Sequence, residues 1–325
     1  MENNLNTNLA EKIFEKIPPN VKPIEYLMTT LDLARESVYR RKRGELSFSI
    51  KEIVKLSQEL NFSIDEIIGT ENQSKIIFDI QNNAMFSPEE TFRSMLEEYF
   101  SLVKRKYEAH NVETIITQNQ ILPIFVLKFK HLFKFFYYKW MHQGYRVPLN
   151  FYYADIKVPV EILNLKDDLI WHINQINNYI FIIDPNTYID SFKEVLYYYD
   201  RKLISKEDLF ILKEEFVNLL RHTESLVLKG TNDHGLSYQF YLSSLNVESN
   251  TFYVKYDDKI ESFLWLYYVN PVKTNNKRMC ATHKRWIDSM KRYSSLITHS
   301  NELLQAKFYN EQYNYIEQVS KRIFG

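Results

Sequence analysis

Glycine is scarce in this chain, which has only 6 among its 325 residues. A chain needs glycine where the backbone turns left-handed or lies directly against a ligand. So few glycines, together with many Leu, Ile, Lys and Glu residues, favour helices over a turn-rich β-sandwich. They also argue against a glycine-rich phosphate-binding loop, and neither a G-x-G-x-x-G nor a Walker sequence is present. We therefore expect a mainly α-helical chain with a smaller β part, an α+β fold.

The length, the net charge and the number of cysteines limit the class of protein further. A length of 325 residues predicts about two domains, at roughly 150 residues each. With 41 Lys+Arg and 41 Asp+Glu the chain is neutral, so a nucleic-acid site would have to be local. The single cysteine, Cys280, excludes an internal disulfide and fits a reducing compartment. The first residues lack a secretory signal pattern, and four lysines interrupt the most apolar window, 121–141. We therefore expect a cytoplasmic protein without a membrane span.

Positive charge is concentrated between residues 35 and 43, where five cations accompany one carboxylate. The surrounding sequence predicts five short helices. The first ends at Pro18, and the second begins at Lys22-Pro23, where proline suits the first turn. The third covers about 34–43 and stops at Gly44, a common helix terminator. The fourth is capped by Ser49, with Ile53, Val54, Leu56 and Leu60 inward and Glu52 completing a capping box. The fifth covers 63–69.

The order of these helices, in "PIEYLMTTLDLARESVYRRKRGELSFSIKEIVKLSQELNFSIDEIIG", resembles the Cro/lambda-repressor-type (XRE-type) helix-turn-helix domain over residues 5–69. It is also similar to BetR-type helix-turn-helix regulators. That family usually has an apolar residue where this chain has Arg41, and often an acidic one where it has Lys42. We expect the aliphatic stems of these two side chains to cover the core while their charges face outward.

The resemblance implies that residues 34–43 form a recognition helix, anchored by Val38 on Leu27 and Leu31, that enters the major groove of DNA. The residues expected to reach base edges lie early in the helix: Arg35, Glu36, Ser37, Tyr39 and Arg40. The residues expected to contact phosphates are Lys22, Arg41, Lys42 and Arg43. Two alternatives remain for the basic run. It could be a solvated helix end that complements the helix dipole, or a nuclear-localisation signal.

The larger remainder predicts a linker, 70–86, with a short strand at 76–80, followed by an α+β domain, 87–325. Ser87-Pro88-Glu89-Glu90 is a typical helix start. The predicted helices cover about 88–109, 121–143, 159–182, 187–200 and 205–228, with a helical block at 281–323. "ETIITQ" predicts a strand, and 237–269 predicts a small three-stranded antiparallel meander. The aromatic runs "FKFFYYKW" and "YYYD" are either core or the lining of a pocket. The last two helices either form a dimer interface or pack within the chain.

No pattern for catalysis or metal binding stands out. Cys280 and His283 form one short pair, whereas zinc needs about four ligands, and no nucleophile motif of the G-x-S-x-G kind is present. We therefore expect no enzyme, no metal and no cofactor. The expected function is that of a bacterial sequence-specific transcriptional regulator. It would bind double-stranded DNA as a homodimer, with residues 87–325 for dimerisation and for sensing a small-molecule or protein signal. The alternatives are a protein-interaction scaffold that uses a helix-turn-helix fold without DNA binding, and membrane-surface binding through 121–143.

Overall fold

The computed structural model describes residues 2–18, 21–60, 62, 76–80, 87–145, 147–265 and 271–325, with the side chains of 2–5 and 80 left aside. The predicted fifth short helix, 63–69, and most of the predicted linker lie outside these residues. The chain separates into two compact units, Met1–Ile77 and Phe78–Gly325. Met1–Ile77 is unit 1, and Phe78–Gly325 is unit 2.

The described part of unit 1 consists of short helices around a small apolar core. The helices are α1 (Glu2–Lys16), α2 (Pro23–Leu31), α3 (Arg35–Lys42) and α4 (Ile50–Glu59). Each contributes a residue that is almost completely buried: Ile13, Leu27, Val38 and Leu56. Because an isolated helix of eight to fifteen residues is marginal in water, this shared core is what stabilises the helices.

Local signals set the ends of these helices as the sequence predicted. The Ser49 side chain accepts the N–H of Glu52 at 3.3 Å, and the Glu52 carboxylate accepts the N–H of Ser49 at 2.6 Å, which confirms the capping box. The prediction that Val54 faces inward was wrong, because its side chain is 41% exposed. Val54 lies two residues from the buried Leu56, and two residues turn the helix by about 200°.

The described residues of unit 2 form one sheet of eight strands with helices on both faces. Its strands are β1 (Asp79–Ile80), β2 (Val112–Gln118), β3 (Tyr179–Ile183), β4 (Tyr238–Ser243), β5 (Thr251–Tyr256), β6 (Lys259–Trp265), β7 (Pro271–Thr274) and β8 (Ser294–Leu296). Its helices are α5 (Pro88–Glu108), α6 (Pro123–Val126), α7 (Lys130–Gly144), α8 (Val160–Ile173), α9 (Thr187–Asp200), α10 (Lys206–Lys229), α11 (Lys277–Arg292) and α12 (Glu302–Phe324), with a 3-10 turn at Tyr153–Asp155.

The sheet is mixed, which corrects the expectation of a small antiparallel sheet. The strand order is β1-β7-β6-β5-β2-β3-β4-β8. The central strands β2, β3 and β4 are parallel, with Phe181 opposite Ile116 on one side and Phe240 on the other. The remaining pairings are antiparallel. The chain is therefore a mixed α/β protein.

Three predicted elements differ from those in the structure. The helix expected over 159–182 ends at Ile173, and Tyr179–Ile183 forms the central strand β3. Its sequence, YIFII, is a continuous apolar run, which suits a strand covered on both faces but does not reveal its type by periodicity. The predicted meander also shifts: β5, β6 and β7 form it, whereas β4 pairs with β3. The block at 281–323 is interrupted by β8.

Other predicted elements are confirmed. Ser87 and Glu90 form a capping box at the start of α5, and Ser205 caps α10 by accepting the N–H of Asp208. The strand expected at "ETIITQ" is β2, and Thr187–Asp200 forms α9. These signals act within one helical turn or one strand, so they do not depend on the rest of the fold.

The two faces of the sheet carry unequal layers. Helices α5 to α10 and α12 pack on one face and form the large core, which includes Phe133, Phe181 and Tyr309. On the other face α11 packs over Ile115, Ile182 and Tyr253 through Ile287 and Met290. Both of the last two helices therefore bury residues within the chain, which is the second of the two alternatives expected for them.

The most apolar segment is divided between two helices. Residues 121–143 form α6 and most of α7, and the aromatic side chains of "FKFFYYKW" are buried in the large core. Burial in this fold leaves these aromatic rings without access to a membrane surface. Among the described residues, none of the helices has both the length and the apolar character needed to span a bilayer.

Candidate nucleic-acid interface

A short turn between α2 and α3 sets the direction of the third helix. Residues 32–34 connect the two helices, and Asp32 takes a left-handed conformation with φ 53° and ψ 53°. The N–H of Leu33 returns to the carbonyl oxygen of Met28 at 3.1 Å, and Ala34 is extended before α3 begins. A two-helix unit joined by three or four residues is the arrangement typical of helix-turn-helix proteins.

Two residues hold the inner side of α3 in place. Val38 is buried in the unit 1 core with Leu27, as predicted, and Leu31 packs against the same core. Arg41 is the second residue, with 8% of its surface exposed.

The position of Arg41 corrects an expectation. Its guanidinium was expected to face outward and contact phosphates, but Nη2 lies 3.0 Å from a carboxylate oxygen of Glu52. Nη1 donates to the Ser37 hydroxyl at 2.5 Å, and the guanidinium carbon is 5.6 Å from the centre of the Phe48 ring. Because the α4 cap places a carboxylate next to the core, the charge of Arg41 is satisfied inside unit 1.

The outer side of α3 displays the other predicted contact residues. Arg35, Glu36, Arg40, Lys42 and Arg43 are exposed, and Tyr39 is half-buried. Ser37, expected to reach a base, is half-buried, and its hydroxyl is bonded to Arg41. The residues that the structure brings together on the outside are therefore the arginines and the lysine, together with Glu36 and Tyr39.

A carboxylate that the sequence analysis did not single out lies against these cations. Glu45 accepts from Nε of Arg43 at 2.7 Å, and its other oxygen is 4.0 Å from Nε of Arg40. Arg43 also lies 3.3 Å from Glu36. The hydrogen bond from Arg43 lowers the pKa of Glu45, so Glu45 stays ionised near neutral pH.

The turn after Gly44 explains why Glu45 is there. Gly44 has φ +75°, and the N–H of Glu45 donates to the carbonyl oxygen of Arg40 at 2.9 Å, so the chain folds back over the end of α3. The exposed residues between positions 35 and 45 thus contain four cations and two carboxylates, Glu36 and Glu45, a net charge of +2. The sequence signal that could have predicted the position of Glu45 is a glycine at the end of a helix, followed by an acidic residue.

Three other predicted cations differ in their surroundings. Lys22, at the start of α2, is 81% exposed, and its Nζ lies 3.3 Å from Glu25. The Lys42 Nζ is 5.1 Å from the centre of the Phe14 ring. No acidic side chain in the described part of unit 1 forms an ion pair with Arg35. Arg35 is therefore the cation of α3 that is most available for a new anionic partner.

The Cys280 and His283 pair in unit 2 belongs to a buried network. His283 Nδ1 is 2.9 Å from the Ser262 hydroxyl, and Nε2 is 2.9 Å from the Thr251 hydroxyl. Burial lowers the pKa of His283 to about 4, so the ring is neutral near pH 7. Cys280 Sγ lies 3.5 Å from the carbonyl oxygen of Thr274. Within the described residues no three metal-ligating side chains cluster, and these groups fasten α11 to the sheet.

An apolar cavity of about 60 Å³ lies in unit 2 between α5, α6 and the β5–β7 meander. Tyr99, Phe252 and Trp265 line it, and so does Glu98, which forms an ion pair with Lys273. Neither "FKFFYYKW" nor "YYYD" contributes to its wall. Sensing of a small molecule in unit 2 stays a prediction.

Buried lysines are a further feature of unit 2. Lys106 is 4% exposed, and its Nζ donates to the Tyr179 hydroxyl at 3.2 Å and lies 4.3 Å from the centre of that ring. Burial lowers the pKa of Lys106 to about 7. Lys139 on α7 is paired with Glu194 on α9, and burial lowers its pKa to about 8. Both lysines join helices to the core rather than open onto a site.

Comparisons of the chain with protein-family models, with curated proteins and with solved structures gave no match. The geometry of the α2–turn–α3 segment and the charges around it are therefore the observations from which a function is argued.

Proposed function

We propose that this chain is a sequence-specific DNA-binding transcriptional regulator that places α3 in the major groove. One observation carries the proposal: Val38 and Arg41 fix one side of α3 on the core, while Arg35, Glu36 and Arg40 on its other side stay exposed. A helix anchored in this way, after a turn of three residues, can enter a groove of about 12 Å without unfolding.

The position of each side chain along the helix decides whether it would contact a base or a phosphate. Arg35 at the first helical residue and Arg40 on the outer side can each donate two hydrogen bonds to guanine, and Glu36 can accept from cytosine. Lys42 and Arg43 at the end of α3, and Lys22 at the start of α2, would contact phosphates and fix the orientation. Arg41 and Ser37 act indirectly, because their mutual bond positions the helix.

The ion pairs on the outer side do not prevent this docking. Arg43 and Glu45 are both exposed, and water screens such pairs so that they contribute little to stability. A phosphate can therefore replace Glu45 as the partner of Arg43. The release of counterions from DNA would then supply much of the affinity and make it depend on salt.

Unit 2 would supply dimerisation and signal sensing. A homodimer would present two copies of α3 to half-sites about one helical turn of DNA apart. The apolar cavity lined by Tyr99 and Trp265 is the candidate site for a small-molecule signal.

The proposal is tested by selecting bound sites from a random duplex pool with the full chain, followed by affinity measurements at two salt concentrations. We expect a preferred motif with palindromic half-sites, a steep loss of affinity with salt, and at least about fivefold weaker binding for Arg35→Ala and Arg40→Ala, since a bidentate contact is worth about 1–3 kcal/mol. Lys55→Ala, an exposed cation on α4, is the matched control. A protein-interaction scaffold would enrich no motif, and neither arginine variant would change duplex binding.

A further inference from the structure

Helix α11 in unit 2 is more basic than α3. Its sixteen residues contain six Lys or Arg and one acidic residue, Asp288. Its apolar side, with Cys280, His283, Ile287 and Met290, is buried against the sheet. The proposed docking of α3 leaves this charge without a role.

The cations on the solvent side of α11 form a regular row. Arg278, Arg285 and Arg292 are exposed and are each seven residues apart, so they lie on nearly one line along the helix. At 1.5 Å of rise per residue, the row is about 21 Å long, which equals about six base-pair steps of duplex DNA. Lys277 is exposed at the beginning of the same helix.

Two arginines of the row, Arg285 and Arg292, donate to hydroxyl groups on the same helix. Arg285 donates to the Thr282 hydroxyl at 3.3 Å, and Arg292 donates to the Ser289 hydroxyl at 3.4 Å. Both partners are neutral. The helix's acidic residue, Asp288, instead accepts from Lys284 at 2.7 Å, and Lys284 also lies 3.9 Å from Glu113. Asp288 and Glu113 thus lie against Lys284, in contrast to α3, where Glu36 and Glu45 lie against Arg40 and Arg43.

We infer that α11 binds the phosphate backbone of duplex DNA without regard to sequence, as a second contact surface in addition to α3. A linear row of exposed guanidinium groups matches a row of phosphates along the duplex, and arginine is suited to such contacts. An anionic membrane is disfavoured, because helices that bind membranes insert an apolar side, and that side of α11 packs on the sheet. The choice of DNA among polyanions rests on the function proposed for α3.

The experiment measures binding of the full chain to a duplex of random sequence over a range of salt concentrations. Each phosphate contact contributes about −0.9 to the slope of log affinity against log salt concentration. The double variant Arg285→Gln with Arg292→Gln should therefore make the slope shallower by about two and weaken binding to all sequences alike. Circular dichroism spectra like that of the wild-type chain would show that this variant remains folded, and the same check applies to the control variant.

A second double variant on the same helix is the matched control. Lys284→Gln with Asp288→Asn replaces two residues of α11 but leaves the net charge unchanged, so the salt slope should stay at the wild-type value. An unchanged slope in the arginine variant would overturn the inference. So would binding of the wild-type chain to phosphatidylserine vesicles, lost in the arginine variant, without binding to duplex DNA.

The variant Arg35→Ala separates this inference from the proposed function. If α11 is a backbone contact, the arginine variant of α11 keeps the preference for a selected motif, whereas Arg35→Ala loses that preference and keeps most of the binding to random duplex. A chain with no motif preference, but with a salt slope that depends on Arg285 and Arg292, would overturn the proposed function and support the inference. A chain that binds no duplex even at low salt would overturn both.

Discussion

Arg41 and Glu52 form an ion pair inside unit 1, with Nη2 and Oε1 at 3.0 Å. The other oxygen of Glu52 accepts the N–H of Ser49 at 2.6 Å, at the beginning of α4. One carboxylate thus completes the cap of α4 and holds α3 at the same time. The two side chains are 10% and 15% exposed, so the pair is largely shielded from water.

The replacement Arg41→Met should loosen α3 and α4, because it leaves the Glu52 carboxylate without its main partner. Breaking a buried pair by removing one partner costs about 3 kcal/mol. We expect faster hydrogen exchange of the amides of both helices, measured by mass spectrometry on the full chain. Lys42→Met is the control, since Lys42 is exposed. Equal exchange in the two variants would show that Arg41 does not fasten α3.

The replacement Glu45→Gln should strengthen duplex binding. The change removes a carboxylate that competes with phosphates for Arg43 and Arg40, and that itself repels DNA. We expect affinity for duplex DNA to rise about threefold at low salt, with a smaller gain at high salt. Glu11→Gln, which changes an exposed carboxylate on α1, provides the comparison. Weaker binding of the Glu45 variant would contradict an interface centred on Arg40 and Arg43.

The replacement Gly44→Ala should destabilise unit 1. Gly44 has φ +75°, which costs other residues about 1–2 kcal/mol, and an added Cβ would lie 2.7 Å from the Thr7 hydroxyl oxygen. Gly144→Ala at the end of α7 meets open space, so we expect it to stabilise unit 2 by about 0.5 kcal/mol.

The two units can be followed separately in this comparison. The tryptophans, at positions 140, 171, 265 and 286, all belong to unit 2. In Gly44→Ala, the urea concentration at the midpoint of unfolding should fall when unfolding is followed by circular dichroism. It should stay unchanged when unfolding is followed by tryptophan fluorescence. If the midpoint fell only for tryptophan fluorescence, the substitution would act on unit 2 and not on the turn at Gly44.

The replacement Lys106→Met should change how the stability of unit 2 depends on pH. Burial lowers the pKa of Lys106 to about 7 from its ordinary value of 10.5. Between these values the unfolded chain binds more protons than the folded chain, so stability rises with pH in this window. One such group contributes at most about 1.4 kcal/mol per pH unit. The Met variant should lose this slope and be more stable near pH 7.

Urea unfolding followed by tryptophan fluorescence at several pH values measures this slope. Lys104→Met, at an exposed position on the same helix, should keep the wild-type dependence on pH. If the Lys106 and Lys104 variants show the same slope, Lys106 is charged in the folded protein and has a partner in addition to Tyr179.

The candidate interface on α3 was predictable in part. The bounds of the helix, its Gly44 terminator and the inward position of Val38 followed from signals within a few residues. The inward turn of Arg41 did not, because it depends on Glu52, eleven positions away and on another helix. The ion pair between Arg43 and Glu45 was not predicted, because it forms only after the chain reverses at Gly44.

By itself, the sequence determined the elements whose signals are local. Ser49, Ser87 and Ser205 begin helices because a side-chain oxygen binds a backbone N–H only three residues further along. Only the tertiary structure decided that β2, β3 and β4 lie parallel at the centre of one sheet, and which side of α11 faces the solvent. The run YIFII is equally apolar in a helix or a strand, so its partners, more than sixty residues before it and more than fifty after it, decide its conformation.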